Sequence, residues 1–496
     1  MLFLVHNLRS ELRSIRLFLV YIKYFLYLCA RFSKTSNSIV HSDRFMEQKK
    51  KGFSSKVGLI LAAAGSAVGL GNIWKFPYVA GENGGGAFLI VYLLCVLMFG
   101  LPLIMTEFLI GKKSGKSAYE AFRAVSGSNR WQWLSWWFII STYMIMSFYF
   151  VVTGWCINYL YEAMTNAYMG LDTEALTEHF HATISNTPRM IGFSVLPVLL
   201  TALVLWFDVN KGIERLSKIL MPLLLIMMIL MAGQVLMLND SDVGMRFLFH
   251  IDFSSITPEV VMKAAGQCFF SLSVGLGMLI TYGAYMPKSQ DVTMSSIQVI
   301  VVDTLVAILA GIIIFPAVFA FGFNPAEGPE LVFVVLPAVL QQMSCPWFSG
   351  VLFFLLLFIA ALTSTIALME VAVASMCEVS RNKLDRHQSV SIVSAITTLL
   401  VTVCVLSMTG AWSWLNILGH NMFDISDTLV TTIMMPMGAL CMSLFVGWFM
   451  PLQHKELIPR NQKGWKRWLR PVFVFSLRWL VPIAIVLIFL HGLDVF

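Results

Sequence analysis

Charge is what this sequence has least of: Asp, Glu, Lys and Arg make up only 12% of its 496 residues. A typical soluble domain carries about twice that share, so a water-soluble globular chain is excluded, and no polar stretch is long enough to form a separate soluble domain. The eight cysteines (Cys29, Cys95, Cys156, Cys268, Cys345, Cys377, Cys404 and Cys441) make no CxxC pair and no metal-ligand spacing. They all lie in apolar segments and read as reduced core residues. No histidine, cysteine or serine constellation with catalytic spacing occurs within those segments, so no enzyme is expected. The net charge of +7 would suit nucleic acid only if the basic residues gathered on one folded face. They sit instead in short loops between apolar runs, and no nucleic-acid partner is expected.

What the sequence does have is apolar length, with 58% hydrophobic residues. Runs able to cross about 30 Å of hydrocarbon as helices recur at 58–78, 87–111, 132–163, 190–207, 213–237, 259–285, 293–323, 347–378, 389–408, 421–449 and 472–493. An all-α integral membrane protein of about eleven helices is expected, with a lipid bilayer as its solvent. Lys49, Lys50 and Lys51 precede span one. Lys112, Lys113, Lys116, Arg123 and Arg130 follow span two, and Lys211, Arg215 and Lys218 follow span four. Positive loops mark the cytoplasmic side, where Arg381, Lys383, Arg386 and the set from Lys455 to Arg470 also fall. The alternate loops carry Asp172, Glu174, Glu178, Asp240, Asp242, Glu327 and Glu330. An odd span count then puts the C-terminus outside.

Span one reads GLILAAAGSAVGLGNIWKFPY and span six FFSLSVGLGMLITYGAY, each with glycines at its centre. Glycine spacing such as Gly65 with Gly69 serves helix packing in many membrane proteins. Two interrupted spans five positions apart point further: a helix broken at membrane depth survives only by lining a protein cavity. In corresponding halves of an inverted repeat such breaks mark a midplane binding site.

The segment GSAVGLGNIWKFPYVAGENGGGAF (65–88) closely resembles the neurotransmitter:sodium symporter family, in its eleven-span bacterial form. FFSLSVGLGMLITY in span six, LVFVVLPAVL after span seven, ALTSTIALME in span eight, and Gly212 with Pro222 in span five follow in the family's order. The resemblance runs from about residue 50 to the end. It implies the inverted five-plus-five repeat of the bacterial leucine transporter, an inner plasma membrane location, and alternating access with two sodium ions. Residues 1–45 lie outside it, and the basic apolar stretch IRLFLVYIKYFLYLCARF lacks a signal-cleavage site. Met46 resembles the usual family start, so 46–496 is expected to be the symporter domain and 1–45 a dispensable extension.

The family pattern implies a first sodium site from the Ala67 carbonyl, Asn72, Ser271 and Asp303, and a second from Gly65, Val68, Ala360, Thr363 and Ser364. A hard cation prefers such oxygens, and an unwound helix supplies carbonyls without burying a full charge. Any single hydroxyl here could equally bond back to its own helix. The implied substrate site adds Leu70 and Gly71 amides and the Tyr149 hydroxyl for a carboxylate, and carbonyls near Phe270, Ser271 and Ser273 for an amine. Ile145, Phe270, Leu276, Ser364 and Leu368 would line an apolar side-chain pocket. Monoamine carriers of the family place an aspartate where this chain has Gly69, which favours an amino acid. Leu276, smaller than the family's phenylalanine, leaves room for branched or aromatic side chains.

Two gates are implied: outside, Lys75 with Asp427, Asp424 nearby and Phe270 as a lid; inside, Lys50 with Glu378, plus Phe53 and Tyr285. Lys75 replaces the usual arginine and loses bidentate pairing, and Phe53 replaces a tryptophan and loses its N–H donor. Gly212 and Pro222 bracket a stretch of span five able to unwind, or simply to kink. Glu107, a carboxylate at membrane depth, is expected behind the broken helices with Tyr92 and Gln267. Chloride-dependent relatives resemble this chain at Tyr92, Gln267 and Ser271, but have asparagine and serine where Asp303 and Ala307 stand. Asp303 is therefore expected to replace the anion. A proton-coupled carrier and a non-transporting sensor of the same fold remain alternatives.

Overall fold

Helix breaks, rather than helix lengths, shape this molecule. The structure is a computed structural model that describes residues 52–323, 331–381, 383–417, 419–450 and 466–492. Lys50, the 1–45 segment and the final residues 493–496 lie outside that description. The first helix starts at Ser55, whose side chain accepts the Gly58 N–H at 3.0 Å. It runs over Lys56–Ala67 and stops at Val68, where ψ of 111° turns the chain out of the helix. The helix resumes over Gly71–Glu82 after a 48° bend. These two pieces form span one.

Span two is Gly86–Ser114, three Asn129–Thr165, four Thr187–Leu205, five Lys211–Leu236, seven Val292–Ala320, eight Pro346–Val379, nine Arg386–Met408, ten Met422–Phe449 and eleven Arg470–Leu490. Local chemistry sets their ends. Asp385 and Gln388 form a reciprocal capping box at the start of span nine, while Gly115 at φ 61° closes span two in the left-handed conformation favoured by glycine.

Span six, expected at 259–285 with an interruption at its glycines, is broken there. It is two helices, Pro258–Ser271 and Met278–Ala284, each too short to cross alone. Between them Ser273, Gly275 and Gly277 take φ values of 52°, 87° and 76°. Two glycines make this turn accessible, and Ser273 is held in a conformation that non-glycine residues seldom adopt.

Spans three and eight pack along one another more extensively than any other helix pair. The most apolar windows of these two spans are 83% buried, against 28% to 44% for spans four, five, nine and eleven. The broken spans one and six thus have a protein-lined centre around them, as backbone freed from hydrogen bonding requires. The outer spans show Leu199, Leu203, Ile226 and Ile229 outward, apolar faces of the kind a bilayer can cover.

Spans two and six meet at backbone distance. A Cβ at Gly111 would fall on the Ile280 carbonyl oxygen, and one at Gly283 would lie 2.8 Å from the Phe108 oxygen. Glycine is required because both neighbours are backbone and cannot rotate away. Gly111→Val is expected to destabilise the protein by about 3 kcal/mol or more, read as a lower melting temperature in detergent. Gly192→Ala, with open space around its Cβ, should leave melting unchanged or slightly raised.

Candidate functional site

The break in span one leaves backbone donors and acceptors that must be answered from neighbouring helices. Gly69 N–H donates to Asn72 Oδ1 at 3.2 Å, and Leu70 N–H donates to the Tyr149 hydroxyl at 3.2 Å. Gly71 oxygen accepts from Gln267 Nε2 at 2.8 Å. Gly69 has a steric reason as well as a chemical one: a Cβ there would lie 2.6 Å from the Tyr149 oxygen and closer still to Ser364 Oγ. On the span six side, Glu107 accepts from the Gly275 and Leu279 amides at 2.9 and 3.2 Å. Glu107 is fully buried and braces the unwound stretch.

Around Asn72 the oxygens converge. Asn72 Nδ2 donates to Asp303 Oδ1 at 2.8 Å, to the Asp303 carbonyl at 3.0 Å and to Ser271 Oγ at 3.0 Å. Ser271 Oγ donates to Asp303 Oδ2 at 3.0 Å and accepts from the Tyr92 hydroxyl at 3.2 Å. Asp303 has 0% exposure, and among the described residues no lysine, arginine or histidine forms an ion pair with it. A buried carboxylate without a cationic partner is costly, and a small hard cation among these oxygens would offset that cost. The described residues contain no group of three His, Cys, Asp or Glu side chains able to hold a metal. The donor set is therefore carbonyl, amide and hydroxyl oxygen with one carboxylate.

The second expected cluster also assembles. Ser364 Oγ donates to the Val68 carbonyl at 3.2 Å and reaches Ala360 oxygen at 3.4 Å, while Thr363 Oγ1 donates to Ala360 oxygen at 2.9 Å. A Cβ at Gly65 would be 3.4 Å from Thr363 Cβ. The hydroxyls thus bond within their own helix, and Ser364 also ties span eight to the span one break.

A small cavity lies at the span one break, lined by Ala67, Gly69, Gly71, Ile145, Tyr149, Phe270, Ser273, Met278, Ser364 and Leu368. Eight of the expected substrate residues line it; Leu70, Ser271 and Leu276 do not. Leu276 is fully buried, and its carbonyl accepts from Thr142 Oγ1. Met278 stands on the wall instead, because the stretch between the two helices of span six is set by the positive φ of Gly275 and Gly277. Sequence spacing alone could not supply those two dihedral angles.

Outside the cavity, Lys75 Nζ sits 4.2 Å from the centre of the Phe270 ring, within cation–π reach. Asp427 acts on Lys75 electrostatically, yet the two do not close to an ion-pair contact. Asp424 is exposed at the start of span ten.

On the opposite side Phe53 meets Tyr282 and Tyr285 edge-on at 5.6 and 6.4 Å, and its N–H donates to the Tyr285 carbonyl. Tyr285 hydroxyl donates to Glu370 at 2.7 Å, and Arg386 grips Glu370 bidentately at 3.0 and 2.8 Å. Glu378, expected opposite Lys50, accepts from Ser117 and Glu120 amides at 2.8 and 3.3 Å, and so caps the short helix Ala118–Ser126. The Glu370–Arg386 pair escaped the sequence reading. Its signal was present in the carboxylate that ends ALTSTIALME, which merits the same attention as Glu107.

Residues 50–174 and 174–494 match the sodium:neurotransmitter symporter family. An uncharacterized sodium-dependent transporter of Bacillus subtilis, YhdH, is 36% identical over 448 residues, covering 90% of this chain and 98% of its own length. A Haemophilus influenzae uncharacterized sodium-dependent transporter is 31% identical over 461 residues, covering 90% of this chain and 99% of its own. Among solved structures, the crystal structure of MhsT in complex with L-phenylalanine matches with a TM-score of 0.80 at 37% identity, over 89% of this chain and 99% of that one. This chain belongs to the sodium:neurotransmitter symporter family and is a multi-pass, sodium-dependent transporter of that fold.

Proposed function

We propose that this chain imports an apolar amino acid, branched or aromatic, together with two sodium ions and without chloride. The observation that carries the reading is the fully buried Asp303 carboxylate set among Asn72, Ser271 and Tyr92, beside a small cavity with a split character. Its lining combines the Tyr149 hydroxyl and the backbone of the span one and span six breaks with apolar Ile145, Met278 and Leu368. A zwitterion with an apolar side chain matches both kinds of lining. The L-phenylalanine held by MhsT is of that class.

Two ions moving down a tenfold gradient and about 100 mV supply about 7.4 kcal/mol, enough for roughly 10⁵-fold accumulation of a neutral zwitterion. The second ion belongs with Gly65, Val68, Ala360, Thr363 and Ser364. The positive loops argue for a bacterial inner membrane, with the start of span one cytoplasmic and the C-terminus outside. Chloride independence follows from Asp303 and Ala307, which share one face of span seven. Ala307 is fully buried and offers an anion no hydroxyl, whereas Asp303 brings a fixed negative charge beside the first ion. Lys75 over Phe270 and the Phe53–Tyr285–Glu370–Arg386 chain close the two ends in turn.

Thr363→Ala with Ser364→Ala removes two hydroxyl ligands, and sodium-stimulated uptake of a labelled apolar amino acid in proteoliposomes should fall roughly tenfold or more. Uptake that persists unchanged in the double variant, or in potassium medium, sinks the sodium assignment, and a requirement for an inward proton gradient in its place favours a proton-coupled carrier. A matched comparison tests the anion. Native uptake should be equal in gluconate and chloride, and Asp303→Asn with Ala307→Ser should become chloride-stimulated. Strong chloride stimulation of the native protein, or an active double variant indifferent to chloride, contradicts the charge-replacement reading.

A further inference from the structure

The cavity at the span one break is small, so what it admits depends on which of its walls can retreat. Two of those walls are stiff. Ile145 and Tyr149 stand one turn apart on span three, and Ser364 and Leu368 one turn apart on span eight, and these two spans pack on one another more extensively than any other pair. Ile145 is β-branched and has essentially one rotamer open to it in a helix. The Tyr149 hydroxyl is committed to Leu70 N–H at 3.2 Å, and the Phe270 ring lies under Lys75 Nζ. Gly69 presents backbone alone, and a Cβ there would overlap Ser364 Oγ.

The remaining apolar wall belongs to the unwound stretch of span six, whose backbone is pinned by spans two, three and ten and by the short helix Ala118–Ser126. Glu107 accepts from the amides at both of its ends, Gly275 and Leu279. A Cβ at Gly275 would lie 2.5 Å from the Met435 oxygen of span ten, and one at Gly438 would lie 2.8 Å from the Gly275 oxygen, so the two backbones touch. Thr142 Oγ1 of span three donates to the Leu276 carbonyl at 3.0 Å. A Cβ at Gly277 would lie 2.7 Å from Ala118 Cβ. A backbone packed this closely has no room to shift, and adjustment falls to its side chains. Leu276 is fully buried and absent from the cavity lining, whereas Met278, 1% exposed, is on it. Methionine is unbranched, with three rotatable bonds and a polarizable thioether, and so repacks into irregular space without backbone movement.

We propose that Met278, and not Leu276, is the residue that sets which apolar amino acids this chain accepts. Ile145 and Leu368 fix one boundary of the side-chain pocket, and Met278 is the boundary that yields. With its thioether folded inward, the pocket matches a branched aliphatic side chain; with the thioether turned away, the same pocket takes a phenyl ring. The site is therefore broad, for branched and single-ring aromatic side chains alike, and its breadth resides in the torsions of one side chain instead of in a moving backbone. The inference rests on the amino-acid reading proposed above and deepens it, by giving the reason that one pinned site takes two shapes of side chain.

The experiment is calorimetric titration of L-leucine, L-phenylalanine and L-tryptophan into the detergent-solubilised full chain in sodium medium, for native protein, Met278→Ile, Met278→Ala and Leu276→Ala, with a melting curve for each. Native protein should bind leucine and phenylalanine with dissociation constants within about tenfold of one another. Met278→Ile keeps the apolar bulk but removes the free torsions, and phenylalanine should lose about tenfold or more relative to leucine. Met278→Ala clears the wall, and tryptophan should gain about tenfold or more relative to leucine. Leu276→Ala should lower the melting temperature, as truncation of a buried side chain does, and leave the ratios among the three ligands at their native values. Unchanged ratios in the Met278 variants overturn the inference, as does a shift in Leu276→Ala as large as that in Met278→Ala, or a native protein that binds only one of leucine and phenylalanine. If Met278→Ala does not fold, Met278→Ile decides alone. If native protein binds none of the three, the amino-acid reading fails and this inference with it; binding of all three with ratios indifferent to residue 278 leaves that reading standing and removes only the role of Met278.

Discussion

A helix interrupted at membrane depth has backbone groups that no water can answer, and each unanswered group costs several kcal/mol. Most of what is distinctive in this molecule meets that demand. Glu107 takes two amides of the span six turn, the Tyr149 hydroxyl takes Leu70 N–H, Asn72 caps Gly69, and Gln267 reaches the Gly71 carbonyl. These groups come from spans one, two, three and six, so the bundle has to converge on the breaks. The carbonyls and hydroxyls gathered beside the span one break, at Ala67, Val68, Ala360, Thr363 and Ser364, are the kind of oxygen a sodium ion uses. The candidate site is in this sense a by-product of satisfying broken helices inside protein.

Both ends of span one answer to aromatic and charged neighbours rather than to lipid. At one end Lys75 lies over Phe270, itself a wall of the cavity. At the other, Phe53 rests on Tyr282 and Tyr285, Tyr285 leads to Glu370 and Arg386, and Glu214 grips Ser54 and Ser55. A helix held by separate sets of contacts above and below its break can move in halves. Two pieces bent by 48° at the centre are suited to alternate closure, because one half need not carry the other with it.

Much of this was legible in the sequence, for identifiable reasons. Span positions follow from apolar length, and the structure's boundaries differ from the expected ones by only a few residues at most ends. The break in span one is announced by Gly69 and Gly71, and the two hydroxyls at Thr363 and Ser364 fall opposite it by family position. What could not be read depends on dihedral angles or distant partners. Met278 replaces Leu276 on the cavity wall because Gly275 and Gly277 both take positive φ. Glu370 finds Arg386 on another span, and Glu214 finds Ser54 and Ser55 some 160 residues away. Glu378 also accepts from the amides of a short helix, a contact no periodicity predicts.

The most direct measurement of the central claim is thermodynamic. Proteoliposomes containing the full chain are loaded to equilibrium with a labelled apolar amino acid at a series of imposed sodium gradients, with membrane potential clamped at zero. Two coupled ions require the accumulation ratio to rise as about the square of the sodium ratio, so that a tenfold gradient gives roughly hundredfold accumulation. Accumulation that ignores the sodium ratio, or follows an imposed proton gradient instead, contradicts the account.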